Sequence, residues 1–198
     1  MAWKAVAAAL ALALAATFAA SADAKKKPKH KAGPTGPAYV NCGKLMPAAA
    51  ADAATGGTLD LTSVTVSGYP KGPSWSSDCT YHSGTLSDPP AGAIGFNLIP
   101  SSAMSKKAYA RALASYTKAA AQNATRPECQ PDWDAQKEGF GPEADECQLL
   151  HPLGANSFEL TGYLWILTPK YLVTVARGGH GDAATVQALG KAVLVKLH

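Results

Sequence analysis

The sequence contains four cysteines, and their spacing restricts the folds open to a chain of 198 residues. None of the four belongs to a Cys-x-x-Cys pair, which argues against a zinc site or a thioredoxin-like redox site. In an exported protein an even number of cysteines indicates a disulfide framework instead. Four cysteines allow three pairings, and we favour the sequential one because each pair then lies in its own half of the chain. The expected disulfides are Cys42–Cys79 and Cys129–Cys147.

Residues 76–84, SSDCTYHSG, offer a second interpretation of Cys79, because His82 follows it closely. A catalytic cysteine needs a low pKa and a base within hydrogen-bond reach. The segment is predicted to be a strand, in which residues three apart point to opposite faces of the sheet. The spacing therefore predicts that Cys79 is half of a disulfide and that His82 lies on the other face.

The N-terminus has the three parts of a secretory signal peptide over residues 1–24. Lys4 supplies the positive charge, residues 6–20 are apolar, and Ala22-Asp23-Ala24 matches a cleavage site. An uncleaved membrane anchor is the alternative, but the apolar stretch is short for a span of about 20 residues. We therefore predict a mature chain that begins at Lys25, has no transmembrane segment, and is secreted or associated with the cell wall.

The basic residues concentrate directly after the predicted cleavage site. Residues 25–39 are rich in lysine, proline and glycine, which predicts a disordered linker. Its lysines are Lys25, Lys26, Lys27, Lys29 and Lys31. They form either a solvated spacer or a tether to anionic polymers or lipid headgroups of the cell envelope. The rest of the chain is about neutral, which argues against nucleic acid as a partner.

Hydrophobic periodicity predicts one α+β domain over residues 40–198. A short helix is expected within residues 41–57, and strands are expected over residues 59–68, 78–83 and 93–99. A helix over residues 102–122 follows, capped by Ser101 or Ser102. Its apolar stripe consists of Tyr109, Leu113, Tyr116 and Ala120.

The C-terminal part contains the clearest pattern, a β-hairpin with a turn at Thr168-Pro169-Lys170. One face of its first strand carries Tyr163, Trp165 and Leu167, and one face of its second strand carries Tyr171, Val173 and Val175. Asp182 is expected to cap a last helix. The apolar stripe of that helix consists of Val186, Leu189, Val193 and Leu197.

Each half of the chain thus has a cysteine-bearing opening, a strand pair and an amphipathic helix. We expect one antiparallel sheet with helices packed on one face, two disulfides, and a pseudo-repeat of two similar halves.

Several short segments resemble a known family. They are NCGKLMPAAAADA with Cys42 and Leu45, DCTY with Cys79 and Tyr81, GFGPEA at residues 139–144, and the closing hairpin with ATVQALGKAVLVKL. The family is the actinobacterial exported proteins and lipoproteins called the domain of unknown function 3558 family. The resemblance implies an exported protein with this fold and transfers no catalytic residue. Unlike many members, this chain has no lipid-attachment cysteine after the signal segment.

No nucleophile elbow, zinc-protease motif or phosphate-binding loop occurs in the sequence, so we expect neither a cofactor nor a metal. His82, His151 and His180 are scattered over different predicted elements. The best candidate for a binding loop joins the last strand to the last helix, where backbone N–H groups attract anions. This candidate anion-binding loop consists of Arg177, Gly178, Gly179, His180 and Gly181.

The sequence favours a secreted, disulfide-stabilised, non-enzymatic binding or interaction module at the bacterial cell envelope, with an envelope component as its partner. The alternative is a hydrolytic or carbohydrate-active enzyme that uses the acidic loop around Trp133. In that case Asp134 and Glu138 would be the paired carboxylates that glycoside hydrolysis requires.

Overall fold

A computed structural model describes residues 36–57, 60–70, 74–82, 93–126, 149–177 and 183–198. All of them belong to the unit Thr35–His198. The predicted signal peptide, the lysines of the linker, Cys129 and Cys147 lie outside the described residues. The helices are α1 (Cys42–Leu45), α2 (Ala48–Ala54), α3 (Ala103–Asn123) and α4 (Ala183–Leu197). The strands are β1 (Ser63–Tyr69), β2 (Ser76–His82), β3 (Ile94–Pro100), β4 (Ser157–Leu160), β5 (Tyr163–Leu167) and β6 (Tyr171–Arg177).

The six strands form one sheet in the order β1-β2-β3-β6-β5-β4, and every neighbouring pair is antiparallel. This confirms the predicted α+β class and the antiparallel sheet. The predicted C-terminal hairpin is part of a three-stranded meander. Thr161 and Gly162, with φ angles of 53° and 75°, turn the chain between β4 and β5, where a continuous strand was expected.

The prediction that the helices pack on one face of the sheet is wrong. Leu172 of β6 packs with Tyr109 of α3, whereas the next residue, Val173, packs with Val186 and Leu189 of α4. Adjacent residues of a strand point to opposite faces, so α3 and α4 cover different faces. We call these the α3 face and the α4 face; α1 and α2 contribute to the core on the α4 face.

The cause lies in β5 and β6, which carry apolar residues on both faces. Trp165 is paired with Thr174 and Ile166 with Val173, so the two predicted apolar rows of the hairpin lie on opposite faces. The apolar row that contains Trp165 must also be buried from solvent, and the aromatic stripe of α3 packs against it. The rings of Tyr109 and Tyr116 lie 5.1 and 5.3 Å from that of Phe158 in β4.

The predicted pseudo-repeat is not shown. The strand order is symmetric about the central pair of β3 and β6, but the helices that follow these two strands are not. A two-fold axis relating two antiparallel neighbours stands perpendicular to the sheet, so it would place α3 and α4 on the same face. They lie on opposite faces.

Local signals set the helix ends. The Ser102 hydroxyl accepts a hydrogen bond from the Ser105 backbone N–H, and the Ser105 hydroxyl accepts one from the Ser102 backbone N–H. This capping box confirms Ser102 as the predicted cap of α3. Pro47 splits the predicted first helix into α1 and α2, with Pro47 itself at the N-cap of α2. The predicted cap of α4, Asp182, lies outside the described residues.

The disulfide Cys42–Cys79 is present and joins α1 to β2, as predicted. Both cysteines are buried in the core of the α4 face. In the part of the chain that the structure describes, no helix has the length and hydropathy of a membrane span.

Candidate functional site

A cleft of about 330 Å³ lies on the sheet beside the area that α3 covers. Strand register places its residues, because each strand lies about 4.8 Å from the next and alternate side chains share a face. We define the sheet cleft by the lining residues on the α3 face of β2, β3, β6 and β5. They are Asp78, Thr80, Gly95, Asn97, Tyr163, Thr174 and Ala176.

Two rows of these residues cross the strands. The first row is Asp78, Asn97 and Thr174, which are paired in register. The second row is Thr80, Gly95, Ala176 and Tyr163, also paired in register. Three strand spacings separate Thr80 from Tyr163, a width of about 14 Å. The first row thus supplies polar side chains to the cleft. In the middle of the second row, Gly95 and Ala176 form a floor of small residues.

A hydrogen-bonded pair orients the polar row. The Asn97 side-chain N–H group donates to Asp78 Oδ1, and the Ser76 hydroxyl donates to Asp78 Oδ2 at 3.5 Å. Asp78 and Asn97 are both half-buried. A carboxylate accepts up to about four hydrogen bonds and a primary amide makes about four, so both groups retain capacity toward a ligand. The pair presents fixed acceptors and a donor to the cleft.

Gly95 and Ala176 leave space above the strands, because neither has a side chain large enough to fill the cleft. A Cβ atom added to Gly95 would lie 2.8 Å from the backbone oxygen of Cys79, so a side chain there would force the strands to shift. Tyr163 stands at the end of the same row with 48% of its surface exposed. The cleft therefore has a shallow floor with an aromatic ring at one end.

Cys79 and His82 lie on opposite faces of β2. Cys79 is 1% exposed, lies on the α4 face and is bonded to Cys42. His82 lies on the α3 face with Asp78 and Thr80, as predicted, and its Nδ1 has no hydrogen-bond partner among the described residues. Cys79 is therefore a structural residue and not a nucleophile beside a base.

The other candidate sites from the sequence are only partly within the described residues. Arg177 ends β6 at one end of the sheet cleft, and its pairing with Ile94 places it on the α4 face of the sheet. Gly178, Gly179, His180 and Gly181 of the candidate anion-binding loop lie outside the described residues, as do the tether lysines and the acidic loop with Trp133, Asp134 and Glu138. These sites stay predictions.

Among the residues that the structure describes, no group of three or more histidines, cysteines, aspartates and glutamates could hold a metal ion. The strongest pKa perturbations there belong to the core. Burial raises the pKa of Tyr81, Tyr109 and Tyr116. These tyrosines are neutral packing groups at physiological pH.

A second, smaller hollow of about 170 Å³ lies between the turn of β5 and β6 and the end of α4. Its walls include Tyr171, Leu194 and Leu197. It has fewer polar side chains than the sheet cleft, so the sheet cleft is the better candidate site.

The sheet cleft was not predicted from the sequence. Its residues come from four strands, and they meet only through a register that periodicity does not reveal. The sequence contains one signal of this site: Ser76, Asp78 and Thr80 are polar residues at alternate positions, which places all three on one face of β2.

No protein-family model, curated protein sequence or solved structure matches the chain. The resemblance to the domain of unknown function 3558 family therefore stays a prediction.

Proposed function

We propose that this chain is a secreted, non-enzymatic binding module of the bacterial cell envelope. We further propose that its sheet cleft binds an uncharged, hydroxyl-rich ligand, such as a glycan segment of the cell wall. The observation that carries the proposal is the sheet cleft itself, in which oriented hydrogen-bonding groups and an exposed ring surround a low floor.

The lining favours hydroxyl groups over charged groups. Thr80 and Thr174 each carry a hydroxyl that both donates and accepts, and Asn97 carries an amide that does the same. Asp78 is the one carboxylate among the residues that define the cleft, and it already accepts from Asn97 and Ser76. A ligand whose hydroxyls both donate and accept matches this mixture of groups.

Tyr163 supplies the apolar contact. A half-exposed aromatic ring with a polar tip presents a large apolar area at low entropic cost, and it can pack against the C–H face of a sugar ring. A width of about 14 Å between Thr80 and Tyr163 leaves room for a short segment of a polymer.

The predicted signal peptide would carry this surface out of the cytoplasm, into an oxidising environment in which the Cys42–Cys79 disulfide would persist. The lysines of the predicted linker would add a second, electrostatic contact to anionic envelope polymers. Such a contact weakens as salt screens it, whereas hydrogen bonding and ring packing in the cleft depend less on salt.

Co-sedimentation with purified cell-wall material tests the proposal. The whole chain and a form lacking residues 25–31 are compared at low and high salt, each with Tyr163→Ala. We expect Tyr163→Ala to reduce retention at high salt by about fivefold, because stacking is worth about 1 kcal/mol. Val195→Ala is the control, since Val195 is 68% exposed on α4 and lies outside both the cleft and β1.

Equal retention of Tyr163→Ala and the unsubstituted chain at high salt would contradict the use of the cleft. Negligible retention of every form would contradict a cell-wall ligand. Release of soluble sugar from the material would instead favour the alternative prediction of a carbohydrate-active enzyme.

A further inference from the structure

The two edges of the sheet differ in how they are protected. β4 is one edge; it has four residues, all buried, and Glu159 also pairs with Leu150 through an isolated bridge. β1 is the other edge and has seven residues. Six of the seven are exposed and only Val64 is half-buried. One edge is therefore short and closed, and the other is long and open.

β1 lacks the devices that normally prevent strands from pairing at an open edge. Proteins protect such edges with charged side chains, especially lysine, with proline, or by shortening the strand. The sequence of β1, SVTVSGY, contains no charged residue and no proline. No other strand among the described residues pairs with the outer side of β1, so its outward backbone N–H and C=O groups are available to another strand.

We propose that β1 pairs with β1 of a second copy of this chain, antiparallel and in a register centred on Val66. The pairing involves β1 alone and does not depend on the ligand of the sheet cleft. Pairing would join two six-stranded sheets into one, with a two-fold axis perpendicular to the sheet.

A second copy is the occupant that the side chains favour. Val66 lies on the α4 face opposite Cys79 and is 40% exposed although it already touches α1 near Gly43. In the proposed register Val66 meets Val66 of the second copy, so each valine covers the exposed part of the other. Thr65 meets Ser67 of the second copy on the α3 face, and such hydroxyl pairs stabilise antiparallel strands.

The expected dimer is of moderate affinity. An interface made by one strand from each copy is smaller than the interfaces of permanent dimers, so we expect dissociation in the micromolar range. Sedimentation of the whole chain purified from expressing cells, from low to high micromolar concentration, measures this directly.

Two double variants that differ at one residue test the register. T65K/S67K places lysine opposite lysine twice across the two-fold axis, and we expect dimerisation to weaken by about tenfold. T65E/S67K places glutamate opposite lysine at the same two points, and we expect it to dimerise at least as well as the unsubstituted chain. In both variants the lysine introduced in place of Ser67 faces Asp78 within its own chain, so the two should fold alike.

A114K/S115K on the exposed side of α3 adds the same charge as T65K/S67K elsewhere and should leave dimerisation unchanged. Circular dichroism confirms that each variant is folded. A chain that stays monomeric at all concentrations would overturn the proposal and leave β1 to a strand of another protein. Undiminished dimerisation of T65K/S67K would also overturn it, and loss of dimerisation in both β1 variants would overturn the register centred on Val66.

Discussion

Two buried tyrosines of this domain differ in what their hydroxyl groups contact. The Tyr81 hydroxyl donates to the backbone oxygen of Met46 at 2.7 Å and so ties β2 to the end of α1. The Tyr109 hydroxyl is buried and has no hydrogen-bond partner among the described residues. The same substitution should therefore have different effects at the two positions.

We expect Tyr81→Phe to lower the free energy of unfolding by about 1–3 kcal/mol, because it leaves the Met46 carbonyl without its buried donor. Tyr109→Phe removes an unpaired buried hydroxyl, and we expect it to change stability little or to raise it slightly. Urea denaturation of both variants measures the difference. Equal losses at the two positions would show that packing and not hydrogen bonding sets the cost.

Tyr81 also predicts how stability depends on pH. Burial raises its pKa above the ordinary value of 10.0, so the folded state holds the phenolic proton more tightly than the unfolded state. The stabilisation from this proton is complete below pH 10 and is lost as pH rises through the folded pKa. We expect the free energy of unfolding to fall above pH 10, and to fall less steeply in Tyr81→Phe. Parallel curves for the two proteins would assign the alkaline loss to other groups.

At the scale of elements, the join between β1 and β2 depends on a glycine. Gly68 has φ of 116°, and a Cβ atom there would lie 2.4 Å from the backbone oxygen of Ser76. We expect Gly68→Ala to cost more than about 2 kcal/mol of unfolding free energy, because both the backbone and the contact are strained.

Gly57→Ala is the control for this prediction. Gly57 also has a positive φ, 68°, but a Cβ atom there meets nothing within 4 Å. Its substitution should lower the free energy of unfolding by only about 1 kcal/mol, because alanine is less stable than glycine in a left-handed backbone conformation. Thermal unfolding of the two variants separates the steric contribution from the backbone contribution, and equal costs would refute the predicted collision with Ser76.

The elements themselves could be predicted from sequence because their signals are local. The stripe of α3, its Ser102 cap and the turn after Leu167 all depend on residues close in the chain. The face that each helix covers could not be predicted in this way. β5 has Leu164 and Ile166 on one side and Trp165 and Leu167 on the other, so periodicity cannot tell which side faces which helix.

At the scale of the whole molecule, the sheet cleft is a consequence of where α3 lies. The main contacts of α3 are with β4, β5 and β6, so this half of the sheet has helices on both sides. On the α3 face of the other half, Thr65, Ser67 and Thr80 are exposed. The cleft lies at the step between these halves. Its position depends on contacts between residues far apart in the chain, which is why only the structure revealed it.

The open edge at β1 bears on what the cleft can hold. In the proposed pair, the two-fold axis turns both clefts toward the same side, and the two α3 helices become walls of one trough. Three strand spacings, about 14 Å, separate Asp78 of one copy from Asp78 of the second copy. A single polymer chain lying in this trough would contact both copies at once, and its second contact would form at high effective concentration. A molecule built this way would hold long strands firmly and release their short fragments.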